Sequence, residues 1–284
     1  MTDKVLICPV CGSELHREEK SLFCGAAKRH CFDISASGHI NLCVGRATGG
    51  DSKEAVRSRT DFLKLEHYKP ISDKICEIIT QIKPESTVID AGCGEGYYTN
   101  NIARMTNLDV YGFDLSKEAI ISASKSARRQ GIENSTFCVG GIYKMPVKDG
   151  CADVITNIFA PCAEDEFLRV LKPEGTLIVV SSGKNHLLGL KRAIYENVYT
   201  NEERADLPKQ MKLENRTELE YTIKLDTADA IRNLFSMTPY SYRTSEKDYR
   251  KLLSLEYLET EIDVEIAVYR KDTTDENFSL HSNV

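Results

Sequence analysis

Residues 88–98 read Val-Ile-Asp-Ala-Gly-Cys-Gly-Glu-Gly-Tyr-Tyr, so a β-branched run ends in an acid and three glycines then alternate through a turn. Gly92, Gly94 and Gly96 carry no Cβ, which lets the backbone bend sharply and lie close to a ligand. The residues that follow are typical of a helix start, whose free N–H groups face the same crevice. The stretch predicts a nucleotide-type site at the carboxyl end of a first parallel strand.

Strand-like and helix-like runs alternate after residue 86, which predicts an α/β fold with a doubly wound, mostly parallel sheet. Residues 261–270 alternate apolar and polar side chains and predict a late antiparallel strand. We interpret the polar, mostly helical stretch 185–235, with one strand-like piece at 219–225, as an insertion over the site. The other predicted strands are 87–90, 110–114, 136–139, 154–158 and 176–180, and the predicted helices are 96–105, 117–130 and 163–171.

The glycine pattern is G-x-G-x-G, whereas NAD enzymes carry G-x-G-x-x-G. Asp90, just before the first glycine, favours a methyl-donor site, where it would orient the amino group of S-adenosylmethionine directly or through water. Asp114 closes the second strand, and its carboxylate can accept both ribose hydroxyls. Small residues at 140–141 leave room for adenine, and the Leu-Lys-Pro-Glu-Gly-Thr run at 171–176 completes the class I (Rossmann-like) methyltransferase pattern. A nicotinamide or nucleotide-sugar domain is the alternative.

A cysteine and histidine cluster lies near the N-terminus. Cys8 and Cys11 form a C-x2-C pair, and Cys24 and His30 follow at a spacing typical of a structural zinc site. Cys31 is a rival fourth ligand, and the alternative for the whole set is ordinary thiols. Zinc would fold a small lobe that cannot otherwise bury enough core, and such a lobe suits RNA recognition. Less favoured ligands are His16, His39 and Cys43.

Four regions follow from these patterns. Residues 1–45 are the expected zinc-binding, RNA-recognition lobe, and 46–85 are a helical linker that packs on the catalytic domain. Residues 86–270 are the methyltransferase domain, and 271–284 are an expected disordered tail. Pro84 is predicted to end the second helix of the linker, whose apolar face is formed by Ile71, Ile75, Ile78, Ile79 and Ile82.

The charge distribution and the apolar content of the chain indicate where RNA would bind and argue against a membrane partner. The net charge is −6, but residues 1–70 hold 11 Lys and Arg against 9 Asp and Glu, so RNA contact is expected there rather than on the acidic remainder. No apolar run approaches the roughly 20 residues of a membrane span. The N-terminus lacks a signal-peptide core, and ten cysteines without one argue against disulfides. We therefore expect a cytoplasmic protein with no membrane partner.

Separate pieces of the chain, in order, resemble the zinc-containing 23S rRNA (guanine-N1)-methyltransferases. That family has a zinc lobe on a class I methyltransferase domain. The resemblance implies S-adenosylmethionine as donor, S-adenosylhomocysteine as product, and a guanine in a domain II hairpin near the peptide exit tunnel as target. One family branch is linked to resistance to macrolides such as tylosin. The pieces are the zinc pattern, 38–42, 50–52, 62–63, 67–68, 90–98, 160–162, 184–186 and 237–239.

The resemblance also assigns residues. By position, Tyr68, Gly94, Glu95 and His186 match family residues that contact the methyl donor. The loop between Cys24 and His30 is longer than the family pattern, which keeps Cys31 open as a ligand. The four positions that match the family's metal ligands are Cys8, Cys11, Cys24 and His30.

Other readings stay open. Pro161-Cys162 also suits an RNA cytosine-5 methyltransferase in which the Cys162 thiolate attacks the ring. A non-catalytic ribosome-binding module would keep the fold without the chemistry. Guanine N1 must lose a proton, and its target base must be unpaired or flipped out. No general base is identified: the acids at 164–166 are candidates or simply a helix start. A homodimer would offer a longer cradle to the RNA hairpin.

Overall fold

The computed structural model describes residues 2–45, 50–82, 87–202, 204 and 207–272. These residues form an eight-stranded main sheet, a separate four-stranded sheet near the N-terminus, and eight α-helices. The strands are β1 (Thr2–Ile7), β2 (Glu14–Glu18), β3 (Ser21–Cys24), β4 (Cys31–Asp33), β5 (Ile40–Asn41), β6 (Thr87–Ala91), β7 (Asp109–Asp114), β8 (Ser135–Val139), β9 (Ala152–Ile158), β10 (Leu171–Ser182), β11 (Lys212–Leu225) and β12 (Leu258–Arg270). The helices are α1 (Lys53–Leu63), α2 (Lys69–Ile82), α3 (Tyr97–Thr106), α4 (Lys117–Gln130), α5 (Glu164–Val170), α6 (Leu188–Ile194), α7 (Ala228–Ser236) and α8 (Glu246–Leu253).

The main sheet has the strand order β11-β12-β10-β9-β6-β7-β8-β5. Strands β5 to β10 are mutually parallel, and β12 runs antiparallel to both β10 and β11. The predicted doubly wound sheet with a late antiparallel strand is therefore confirmed. Strand order reverses at β6 and β9, so the carboxyl ends of these two strands open a crevice.

Alternate side chains of each central strand enter different cores, because successive residues of a strand point to opposite faces. In β6, Val88 packs into a core with α2, α3, α6 and α7. Its neighbour Ile89 packs on the other face, with α5 and the N-terminal sheet. The sheet is thus covered on both faces, which is the arrangement that nearly continuous apolar strands require.

The segment 185–235 differs from the predicted insertion. Its strand-like piece extends to the 14 residues of β11, which pairs with β12 along its whole length. The segment therefore completes the main sheet instead of only covering it. The full length of this strand could not be predicted from the sequence, because β11 is an edge strand and most of its side chains are exposed on both faces. Polar residues are common on such edges, since they discourage pairing with other chains.

The N-terminal sheet, β1 to β4, is joined to the main domain at its base. The backbone N–H of Ile7 donates to the Pro146 carbonyl (2.9 Å), and that of Lys148 donates to the Val5 carbonyl (2.9 Å). Strand β5, at the end of the predicted 1–45 lobe, pairs with β8 and forms the far edge of the main sheet. The lobe and the catalytic domain therefore share one apolar core.

The predicted isoleucine face of α2 is buried, with Ile71, Ile75 and Ile79 fully enclosed. The prediction that Pro84 ends this helix falls outside the described residues, as does most of the predicted tail, 273–284. Within the described ranges, no helix combines the length and the apolar character needed to cross a bilayer.

Candidate functional site

The three predicted glycines form the turn between β6 and α3. Gly92, Gly94 and Gly96 have φ values of 85°, 55° and 79°, a region in which side chains with a Cβ are strained. The backbone N–H groups of Gly92 and Cys93 both donate to the Phe113 carbonyl at the end of β7 (2.8 and 3.0 Å). Gly96 is the N-cap of α3 and supplies no side-chain cap, so first-turn N–H groups face the crevice.

Neighbouring side chains also leave no room for a Cβ at two positions of this turn. A Cβ on Gly96 would lie 2.7 Å from the Cβ of Ala123 and 2.9 Å from the Phe137 ring. A Cβ on Gly92 would lie 2.6 Å from the Cβ of Ala160. The loop is therefore held between α4 and the segment that follows β9, and only glycine fits at both positions.

Asp90 lies beneath the loop and is almost fully buried. Its carboxylate accepts hydrogen bonds from the hydroxyls of Thr99 (2.6 Å) and Thr156 (2.9 Å). Burial raises its pKa to about 6, although the two hydroxyls lower it. Asp90 thus ties β6 to α3 and β9, and it supports the shape of the glycine turn.

Asp114 lies at the carboxyl end of β7, as predicted. Its Oδ2 accepts the N–H of Gly94 (3.0 Å) and its Oδ1 accepts the N–H of Ser116 (2.7 Å). Burial raises the pKa of this carboxyl. The next residue, Leu115, is exposed and lies 3.5 Å from the position that a Cβ on Gly141 would take. This apolar side chain and the glycine backbone at 140–141 lie close to the end of β7, where the Gly140 N–H donates to the Asp114 carbonyl (3.0 Å).

Arg59 on α1 is a site residue that the sequence did not reveal as one. Its guanidinium forms an ion pair with Asp51 and lies 3.9 Å from the buried Glu95 carboxylate. Within the described structure, Glu95 Oε2 has no hydrogen-bond partner. Burial raises the pKa of Glu95 to about 7, while the charge of Arg59 lowers it. Together with Asp114, three carboxylates therefore face one guanidinium above the glycine loop.

Tyr68 and His186 meet at the carboxyl ends of β9 and β10. The Tyr68 hydroxyl lies 3.3 Å from His186 Nε2, and both side chains are buried. The ring of Phe159, directly after β9, lies 6.2 Å from that of Tyr68 and 6.0 Å from that of His186. The three rings line one wall of the crevice.

The tautomer of His186 follows from its neighbours. Burial lowers its pKa to about 4, so the ring is neutral near pH 7. The backbone N–H of Asp263 donates to Nδ1 (3.2 Å), which places the ring proton on Nε2. That proton is donated to the Tyr68 oxygen, and the phenolic hydrogen of Tyr68 remains free to donate to a ligand. His186 therefore orients Tyr68 and is not set up as a base.

The predicted metal ligands come together in the N-terminal sheet. One donor atom from each of Cys8, Cys11, Cys24 and His30 lies within 4.8 Å of the other three. The Cys11 and Cys24 sulfurs are 3.7 Å apart, and His30 Nδ1 is 3.5 Å from Cys8 Sγ and 3.4 Å from Cys24 Sγ. Tetrahedral zinc with bonds of about 2.3 Å to sulfur separates such ligands by about 3.8 Å, so the donor set fits zinc.

Two of the rival ligands, Cys31 and His39, lie beside partners outside the cluster. The Cys31 thiol is exposed and lies 3.8 Å from the Asp33 carboxylate. His39 Nδ1 is 2.7 Å from the Ser35 hydroxyl and 2.9 Å from that of Ser37. The backbone N–H of His30 donates to Cys24 Sγ (3.1 Å) and lowers the pKa of that thiol, which favours the thiolate that a metal needs.

The candidate bases after β9 have structural partners. Glu164 accepts the backbone N–H groups of residues 209 and 210, and Asp165 accepts the Gln210 amide. Glu166 accepts the Met145 N–H and pairs with Arg169. Cys162 is half-buried and packs against the core that the zinc lobe shares. These contacts favour the structural interpretation of all four side chains.

Comparison with known proteins agrees with both halves of this arrangement. A zinc-ribbon family model described as "RlmA, N-terminal" matches residues 6–43, and a "Methyltransferase domain" model matches residues 82–253, more than half of the chain. A putative 23S rRNA (guanine-N1)-methyltransferase of Micromonospora griseorubida is 33% identical over 65% of this chain and 68% of its own length.

The chain belongs to the 23S rRNA (guanine-N1)-methyltransferase family. A second such methyltransferase, putative and from Bacillus subtilis, is 28% identical over 93% of this chain and 96% of the relative. A 23S rRNA (guanine(748)-N1)-methyltransferase of Streptomyces fradiae is 27% identical over 84% and 86%. As a member of this family, the protein is an S-adenosylmethionine-dependent methyltransferase with a zinc ribbon.

The geometry of this methyltransferase suits its donor. S-adenosylmethionine carries an ammonium, a sulfonium and one carboxylate, so its net charge is positive. The three carboxylates around one guanidinium provide the opposite charge, and Glu95 Oε2 is a buried acceptor that has no hydrogen-bond partner among the described residues. The tightly bent glycine turn brings backbone rather than side chains to the ligand.

Proposed function

We propose that this chain transfers a methyl group from S-adenosylmethionine to N1 of a guanine in 23S rRNA. The observation that carries the proposal is a match to a relative of that named activity over 93% of this chain, through both the zinc ribbon and the donor domain. Two structural features also support the proposal: the cysteine and histidine cluster in the N-terminal sheet and the glycine turn in the main sheet.

The donor would lie along the carboxyl edge of the main sheet. In this proposal the carboxylate of Asp114 accepts the ribose hydroxyls, and Glu95 accepts the ammonium group. Tyr68, oriented by His186, donates its free phenolic hydrogen to the amino-acid end. Asp90 acts beneath the loop by fixing its shape. The proposed donor site comprises Tyr68, Asp90, Gly92, Gly94, Glu95, Gly96, Asp114 and His186, and the proposed zinc ligands are Cys8, Cys11, Cys24 and His30.

The donor, when bound, supplies an electrophilic methyl group on a positively charged sulfur. The protein's part is to hold that methyl in line with guanine N1, and good orientation lowers such barriers by roughly 7 kcal/mol or more. The N1 proton has to leave. Since His186 carries its proton on the inward nitrogen and burial raises the pKa of Tyr68, neither accepts it readily. We propose that this proton passes to solvent water.

The position of the target guanine within 23S rRNA is part of the same proposal. We infer a guanine in the domain II hairpin near the peptide exit tunnel, which the family resemblance implies, and a link to tylosin-type macrolide resistance. One relative is named for position 748 of 23S rRNA. A substrate of this kind places the activity in the cytoplasm, and a homodimer would lengthen the RNA-binding surface.

Labelled-methyl transfer followed by primer extension tests the proposal. N1-methylguanine cannot pair, so reverse transcriptase stops beside it. We expect one donor-dependent stop at a guanine of 23S rRNA, and its position identifies the target. Asp114→Asn, which weakens the proposed ribose contact, should weaken the stop. Label in 5-methylcytosine would support the cytosine alternative, and donor binding without transfer would support a non-catalytic module; either result overturns the proposal.

A further inference from the structure

Phe159 combines exposure and backbone strain at the mouth of the donor crevice. It is the first residue after β9, its side chain is 42% exposed, and its φ is 50°. The left-handed region is unfavourable for a bulky side chain, and such strain persists only where the surroundings fix it. A large apolar ring therefore faces solvent in a conformation that packing of its own side chain does not explain.

The surrounding turn holds this conformation. The Asn157 amide donates to the carbonyls of Ala91 (3.3 Å) and Pro161 (2.9 Å), which ties the turn to the glycine loop. Arg204 donates to the Ala160 carbonyl (2.6 Å) and to Asn157 Oδ1 (3.2 Å). The Phe159 N–H itself donates to the Val180 carbonyl (3.0 Å). Two buried strands and one arginine thus fix the position of the ring.

Two other aromatic rings cover part of the Phe159 ring. His186 stacks on it with the ring planes 28° apart and the centroids 6.0 Å apart. Tyr68, whose hydroxyl belongs to the proposed donor site, lies at 6.2 Å. The adjoining Ala160 borders Gly92 of the glycine turn. The exposed part of the ring therefore lies beside the place where donor and target must meet.

We propose that the exposed face of Phe159 is the platform on which the target guanine stacks after it leaves the RNA helix. The inference rests on the proposed function. A flipped-out base loses its stacking neighbours, and an aromatic side chain replaces them without selecting a base by hydrogen bonding.

Three substitutions at Phe159 separate the contribution of the ring from that of the backbone conformation. Phe159→Gly accepts φ of 50° without strain but removes the ring, whereas Phe159→Trp keeps an aromatic face. We expect Phe159→Gly and Phe159→Leu to lower kcat/KM for the rRNA hairpin about ten- to hundredfold, the loss that removal of one base–aromatic stack produces. Phe159→Trp should stay within about threefold of wild type. Donor affinity, measured by calorimetry, should stay within about threefold of wild type in Phe159→Leu and Phe159→Trp, which keep an apolar side chain beside Tyr68 and His186.

The decisive comparison uses the identified hairpin with an abasic target position. Wild type and Phe159→Leu should bind this abasic RNA equally and differ on the intact hairpin. Tyr249→Leu is the matched control, because that ring is 41% exposed and packs on Phe235, away from the crevice rings. Wild-type turnover by Phe159→Gly, or equal weakening on abasic RNA, overturns the platform. A wild-type enzyme that leaves rRNA unmethylated overturns the proposed function instead.

Discussion

At the scale of single residues, the described part of the proposed donor site places three carboxylates, those of Asp51, Glu95 and Asp114, around the guanidinium of Arg59. Within the described structure, one oxygen of Glu95 lacks a hydrogen bond. Burying a carboxylate without a full set of partners is unfavourable, and its pKa rises in response. A cationic ligand removes that cost, so donor binding and ionisation of Glu95 are coupled.

This coupling predicts a pH dependence of donor binding. Burial raises the pKa of Glu95 to about 7. A bound ammonium favours the charged carboxylate, so the affinity for S-adenosylhomocysteine should increase about tenfold between pH 6 and pH 8. Calorimetric titration at the two values measures it. Glu95→Gln should flatten this rise, and Glu118→Gln, at an exposed acid on α4, should leave it intact. An equal slope in Glu95→Gln would refute the coupling.

The raised pKa of Glu95 also makes the stability of the ligand-free protein depend on pH. The folded pKa of Glu95 lies above its ordinary value of 4.5, so the ligand-free protein binds a proton more tightly folded than unfolded. Its contribution to stability is full below pH 4.5 and is lost as pH rises through about 7. Thermal unfolding of the ligand-free proteins across this pH window should show a loss of stability in wild type that Glu95→Gln lacks. Added S-adenosylhomocysteine should remove this difference in pH dependence.

Replacement of Cys162 distinguishes guanine-N1 methylation from cytosine-5 methylation. Methylation of guanine N1 requires no thiolate, so Cys162→Ala should keep turnover within about threefold of wild type, the cost of a small cavity at a half-buried side chain. Initial rates of labelled-methyl transfer measure this. A loss of more than about a hundredfold, together with a covalent adduct on RNA that contains 5-fluorocytosine, would instead assign the thiolate to attack on cytosine.

Site residues that belong to a local sequence pattern could be predicted from the sequence. Those that only the tertiary structure brings to the site could not. Asp90 and Asp114 end strands, and the glycines form a short motif, so their neighbourhood was predictable. Arg59 lies on a helix more than 30 positions before the glycine turn, and no local sequence pattern connects the two. Only the packing of α1 brings it over Glu95.

At the scale of elements, the predicted strands agree with the structure where both faces are buried. Strands β6 and β9 are runs of apolar and β-branched residues, which is the signature of a buried parallel strand. The predicted 219–225 piece is only the end of β11, because the exposed first half of that strand lacks apolar alternation. Edge position, which decides that composition, is a property of the assembled sheet.

The β6–α3 turn gives a stability prediction with a matched control. Gly96→Ala adds a Cβ that meets the Ala123 Cβ at 2.7 Å and the Phe137 ring at 2.9 Å, at φ of 79°. Gly131→Ala, at φ of 67°, meets nothing within 4 Å. We expect losses of about 3 kcal/mol for Gly96→Ala, from strain plus overpacking, and about 1 kcal/mol for Gly131→Ala, from strain alone. Urea unfolding measures both.

Only Gly96→Ala should also abolish donor binding, because the displaced turn no longer presents its N–H groups to the crevice. Equal destabilisation by the two alanines would show that the close approach at Gly96 contributes nothing beyond its dihedral angle.

At the scale of the whole molecule, zinc ribbon and donor domain are one folded unit. They share an apolar core, and β1 bonds directly to the loop before β9. The proposed ligands nevertheless lie on the lobe, and the donor loop lies at the carboxyl edge of the main sheet. Loss of zinc should therefore affect RNA recognition more than donor binding.

Two cysteines on either side of His30 test this division. Cys24→Ser removes a proposed ligand, and Cys31→Ser changes an exposed neighbour outside the cluster. We expect Cys24→Ser to lose bound zinc and rRNA methylation while its donor affinity stays within about threefold, because structural zinc folds the lobe that holds it. Cys31→Ser should resemble wild type in all three. Metal analysis and calorimetry measure the outcome, and loss of zinc in Cys31→Ser would reassign the fourth ligand.

Guanine-N1 methylation is best tested by nucleoside mass spectrometry, with primer extension, on 23S rRNA incubated with purified protein and labelled S-adenosylmethionine. We expect label in N1-methylguanosine and a reverse-transcriptase stop at one guanine. Label in any other nucleoside, or none while the donor binds normally, would contradict this expectation.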